Sequence, residues 1–169
     1  MSYNQRPNNL LEEVVNLSRE RIFLETFTNR LRGISVSQSS QYNVTTGTTT
    51  NMSWNVTGWS SGGYSLASGV LTVGVAGYHR INLFCHMTAN ATGYRRMTLL
   101  INDVNSGISE VGGHASSRNG PALELVKLLD VGDQVRATIY QSSGTTLGVI
   151  NSGSALNGFT LVHFGGALA

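Results

Sequence analysis

The sequence predicts an all-β chain, an antiparallel jelly-roll sandwich, preceded by an N-terminal α-helix. Three observations point there. Charge is concentrated at one end: Arg6, Glu12, Glu13, Arg19, Glu20, Arg21, Glu25, Arg30 and Arg32 are nearly half of the 11 basic and 9 acidic residues. The apolar pattern of that end has a helical period, and beyond Gly33 the period falls to two. The remainder is rich in Gly, Ser, Thr and Asn and carries a single lysine, Lys127. This split divides the chain into an N-terminal helical attachment or oligomerisation segment, residues 1–33, and a jelly-roll domain, residues 34–169.

The helix comes first. Pro7 and Asn8-Asn9 suit a helix start, and Glu12 stands three residues after Asn9 in a capping-box position. Leu10, Leu17, Leu24 and Leu31 recur every seven residues, with Val14 in the intervening slot. Arg21 and Thr28 fill the slots where a second apolar residue should return, while Leu11, Val15, Ile22, Phe23 and Phe27 widen the apolar face. A strict two-stranded coiled coil does not need so wide a face. Gly33 is expected to stop the helix. Two readings stay open: a helix packed on its own domain, or one that docks or bundles through Leu10, Val14, Leu17, Leu24, Phe27 and Leu31. A helix of about 23 residues is only marginally stable without a partner surface.

The strands follow. In "MSWNVTG", Met52, Trp54 and Val56 alternate with Ser53, Asn55 and Thr57. "SGVLTVGVAGYHRINLFCHMT" reads as two strands broken at Gly74 and Ala76-Gly77. "RRMTLLIND" is a strand running into a turn, "PALELVKLL" and "DQVRATIY" are two more, and "NGFTLVHF" closes the series. About eight short strands without an intervening helix fit a sandwich. In "GFTLVHF" both alternating sets carry apolar residues, Phe159 and Leu161 against Val162 and Phe164. "PALELVKLL" behaves similarly. A sheet with one wet face should be polar at alternate positions, so something covers the second face. A partner subunit is expected there, with Tyr140, Phe159, Val162 and Phe164 as candidates for subunit packing.

Composition narrows the function. Net charge is +2 and no basic cluster exceeds Arg95-Arg96, too small a footprint for nucleic acid. No apolar run approaches the ~18–20 residues that cross a bilayer, and "MSYNQRPNNLLEEVV" lacks the outline of a secretory signal. No membrane partner is expected. The one cysteine, Cys85, allows no intrachain disulfide and reads as a buried thiol.

Motifs with chemical potential are few. "GWSSG", Gly58 to Gly62, matches Gly-x-Ser-x-Gly, yet a nucleophile elbow needs a strand before Ser60 and a helix after it, and neither is expected. His79, His86, His114 and His163 show no metal-ligand spacing. In "KLLDVGDQVRATIY", Asp130 and Asp133 flank Val131-Gly132. That pair reads as a tight turn between two strands, with calcium binding as the alternative. "VGGHASSRNG", Val111 to Gly120, is a loop by composition. No enzyme, no cofactor and no resident metal are expected.

From about Tyr64 to Phe164 the chain resembles the trimeric jelly roll shared by tumour necrosis factor and the globular head of complement component 1q. The pieces that carry the resemblance occur in family order: "YSLASGVLTVGVAGYHRINLF", "RRMTLLIND", "ALELVKLLDVGDQVRATIY" and "LNGFTLVHF". It implies a TNF-like fold, a homotrimer and a binding role. Comparable domains occur on bacteriophage structural proteins behind a short N-terminal segment. The chain is therefore expected to be a virion component, a capsid decoration, head-fibre or tail-associated protein at the virion surface that is assembled in the host cytoplasm. Its partners would be its own copies and other virion proteins of capsid or tail. The alternative is a head that recognises a host-surface glycan or receptor, with Trp59, Tyr64, Tyr94, His114 and Arg118 as candidate loop contacts. In a trimer one histidine at the axis supplies three ligands, and His163 is the position for it, though a packed imidazole is the plainer reading.

Overall fold

A computed structural model of the chain describes residues 31–151 and 157–165. Leu10, Val14, Leu17, Leu24 and Phe27, with the helix expected around them, lie outside the described residues. The chain divides into two units, Met1–Leu31 and Arg32–Ala169. The boundary falls earlier than expected because Arg32 and Gly33 already belong to a strand. Gly33 is no helix stop: a Cβ there would lie 2.1 Å from the Leu161 carbonyl oxygen, so only glycine lets the two strands approach. Leu31 precedes that strand and is exposed.

Thirteen strands are described. They are β1 (Arg32–Ser37), β2 (Tyr42–Val44), β3 (Thr50–Asn51), β4 (Val56–Ser61), β5 (Ser65–Ala67), β6 (Val70–Thr72) and β7 (Gly77–Phe84). Then come β8 (Asn90–Ile101), β9 (Val104–His114), β10 (Ala122–Leu129), β11 (Gln134–Gln141), β12 (Leu147–Val149) and β13 (Gly158–Gly165). The first sheet runs β10-β7-β13-β1-β4. The second runs β5-β6-β11-β8-β9, with β3 also on β11, and β2 pairs with β12 alone. The pairings are antiparallel throughout.

Ile34, Ile81, Leu83, Phe159 and Leu161 of the first sheet meet Leu71, Met97, Leu99, Val135 and Ile139 of the second in one buried core. Trp54 packs on Phe159 with ring centroids 5.8 Å apart. Cys85 is buried there too, and desolvation pushes its thiol up to about 12.

Two departures from the sequence pattern have physical causes. Residues 52–55 keep the burial alternation without forming a strand, because they cross between the sheets. Met52 N–H donates to Ala137 of the second sheet at 2.9 Å, and Asn55 N–H donates to Ser37 of the first at 3.0 Å. β9 is a long strand with little apolar alternation. It is the edge of its sheet, and its Gly107 makes room for the leucines of β10: a Cβ would lie 2.8 Å from Leu125 Cδ2.

Candidate interaction surface

The outward face of the first sheet is built by alternation. Register sets Leu128 of β10 opposite Tyr78 of β7, and places Arg80 between Val126 of β10 and Val162 of β13. Alternation along β13 puts Phe164 on the same face as Val162, and beside the bulge between His163 and Gly165 its ring stacks on Tyr78 at 6.3 Å and 27°. Tyr78 is 40% exposed, Val126 53%, Leu128 53% and Phe164 60%. A contiguous apolar patch on one sheet face marks an interaction site where scattered single residues do not. Beside it Arg80 pairs with Glu124 at 2.7 Å.

Of the four residues expected to pack subunits, this face holds Val162 and Phe164. Phe159 is a correction: it is fully buried in the core against Trp54, because β13 turns Phe159 and Leu161 inward. Tyr140 lies on β11 in the second sheet, opposite Arg96, and its ring packs on Tyr94 at 5.5 Å.

The loop contacts expected for recognition are dispersed. Trp59 is half-buried inside β4 opposite Ser35, and Tyr94 lies within β8, so neither is a loop residue. Tyr64 is buried. His114 ends β9, where its Nδ1 accepts Ser117 N–H at 3.2 Å, and Arg118 lies in the exposed segment that follows. Tyr94, Tyr140, Arg96 and Glu110 do come together: the Arg96 guanidinium sits 5.1 Å over the Tyr94 ring and pairs with Glu110 at 2.8 Å.

Ser60 lies inside β4 and its hydroxyl donates to the Tyr64 carbonyl at 2.8 Å, so the local structure is strand rather than a strand-to-helix elbow. The Asp130–Asp133 pair closes a turn. Asp133 N–H donates to the Asp130 carbonyl at 3.2 Å, and Asp130 N–H donates to Asp133 Oδ2 at 2.8 Å. Asn102 Nδ2 donates to Asp133 Oδ1 at 2.8 Å. Gly132 supplies the positive φ of 90°. Among the described residues, no three His, Cys, Asp or Glu side chains converge on a metal-binding group.

One cluster escaped the sequence. His79 and His163 are cross-strand partners with ring centroids 5.4 Å apart. The Gly77 carbonyl accepts from His79 Nδ1 at 2.8 Å, which fixes the proton there and leaves Nε2 to accept the Tyr64 hydroxyl at 2.5 Å. Burial pushes His79 below the usual histidine range and Tyr64 up to about 12. Residues 84 positions apart meet only through the β7–β13 register, which no spacing rule reveals.

No family model and no curated protein matches the chain. Solved structures do. The Eiger TNF of S. frugiperda aligns with a TM-score of 0.62 at 11% identity, over 83% of this chain and 96% of that one. Murine APRIL at pH 5.0 aligns with a TM-score of 0.62 at 11% identity, over 79% and 99%. The fold is the TNF-like jelly roll. At such identity the likeness carries architecture alone. In this TNF-like frame the four resembling sequence blocks are β5 to β7, β8, β10 to β11 and β13, and Tyr78 faces outward.

Proposed function

We propose that the chain is a homotrimeric virion structural protein, a capsid decoration, head-fibre or tail-associated protein. It attaches through its N-terminal segment and projects a non-enzymatic jelly-roll head at the virion surface. The observation that carries self-association is the patch of Tyr78, Val126, Leu128 and Phe164. Each is about half exposed, so completing its burial contributes about 1 kcal/mol, and one copy of the patch gains roughly 4 kcal/mol. That barely offsets the cost of association, so a single contact is weak. A closed ring makes the contact three times over.

The virion assignment rests on the layout of a charged, leucine-periodic segment ahead of the head, and on its resemblance to phage structural proteins. Light scattering should give three times the chain mass at micromolar concentration; a monomer overturns the trimer. Immunogold labelling of particles should find the protein at their surface, and a chain lacking residues 1–30 should fold yet stay off the particle. Normal incorporation of that truncation overturns the attachment role.

A second reading, a glycan- or receptor-recognising head, is favoured by the Tyr94–Tyr140 pair. Two rings beside a guanidinium and a carboxylate offer stacking and directional hydrogen bonds on the second sheet, away from the apolar patch.

A further inference from the structure

We propose that the cluster of buried Tyr64 and His79 with half-buried His163 is a proton-operated release for the self-association surface, so that acidification loosens contacts made through Tyr78 and Phe164. This rests on the self-association reading above. The histidines sit directly behind the patch. Tyr78 and His79 are adjacent in β7, and His163 and Phe164 are adjacent in β13, with the imidazoles inward and the stacked rings outward.

The cluster also lies in a row of bases. Register places Lys127 of β10 opposite His79, His79 opposite His163, and His163 opposite Arg32 of β1. Like charges on opposed residues repel, so a proton gained by His79 beside Lys127 is unfavourable. The other titratable groups acting on it are Tyr64 and Asp133. The Asp133 carboxylate is already engaged by Asp130 and Asn102.

A proton on His79 Nε2 turns the acceptor of the Tyr64 hydroxyl into a donor. That hydroxyl must rotate, and a charge is left in a buried site beside a second imidazole. His163 Nε2 is itself buried without a hydrogen-bond partner, so it offers no relief. Strand ends that separate to admit water carry Tyr78 and Phe164 apart.

The sign is set by His79, whose folded pKa lies below the usual 6.5. Its contribution to stability is complete above about 6.5 and is lost as pH falls from there toward the depressed value.

The test is solution mass of the full chain from pH 8 to pH 5, for wild type and His79→Gln. Wild type should be trimeric at pH 8 and weaken at least tenfold by pH 5, while His79→Gln, which cannot charge, should keep one mass throughout. A wild-type trimer unchanged at pH 5 overturns the switch and leaves self-association standing; a monomer at pH 8 overturns both. Should His79→Gln fail to fold, histidine ring NMR on wild type decides. Trimer loss must track the titration of His79, and loss while His79 stays neutral overturns the proposal.

Discussion

Gln141 shows how much a single buried amide can hold. It is fully buried at the end of β11, where its Nε2 donates to the Val44 carbonyl at 3.0 Å and the Thr145 carbonyl at 2.7 Å. Its Oε1 accepts Ser143 N–H at 2.7 Å. Leucine has the volume but none of the partners. Thr145 keeps a bond from the Ser143 hydroxyl and Val44 keeps its β12 partner Leu147, so Gln141→Leu strands chiefly the Ser143 N–H and should cost about 1–3 kcal/mol in a denaturant melt. A change under about 1 kcal/mol would mean that water reaches that group. Residue-scale facts of this kind are poorly legible in sequence. Alternation in "GFTLVHF" offers two apolar sets without saying which is inside, so Phe159 is expected at the subunit face although it is fully buried.

At the scale of elements, punctuation was the most legible feature. The "DVGD" turn between β10 and β11 follows from glycine's access to positive φ and from aspartate's habit of accepting turn amides. No neighbour lies within 4 Å of a Cβ built on Gly132, so Gly132→Ala tests backbone strain alone and should cost about 1–2 kcal/mol. Both oxygens of Asp133 already accept hydrogen bonds, from Asp130 N–H and from Asn102. Calcium should therefore leave the melting temperature unchanged, and a rise on titration would restore the cation reading. Strands with a buried alternate set, β7, β8 and β11, were also legible. β9 was not, because an edge strand beside the leucines of β10 can be small and polar and still be held by its pairing with β8.

For the whole molecule, apolar character on both alternating sets predicted a covered face, and Val126, Leu128, Val162 and Phe164 do turn outward. The sheet they share was not legible, since it depends on β10 and β13 both pairing with β7. The consequence is separable from folding. Leu128 and Phe164 contribute little to the core from the outward face, so Leu128→Glu with Phe164→Glu should leave the melting temperature within a few degrees of the wild-type monomeric domain. The same pair places two carboxylates in each copy of a contact worth roughly 4 kcal/mol, and burying an uncompensated charge costs several kcal/mol. Solution mass should fall to that of one chain. Val104 supplies the control: it is 66% exposed at the β8–β9 hairpin and stands outside the patch, so Val104→Glu should change neither mass nor stability. If the double variant stays trimeric, the subunits meet elsewhere, and the outward face of the first sheet is free for another partner.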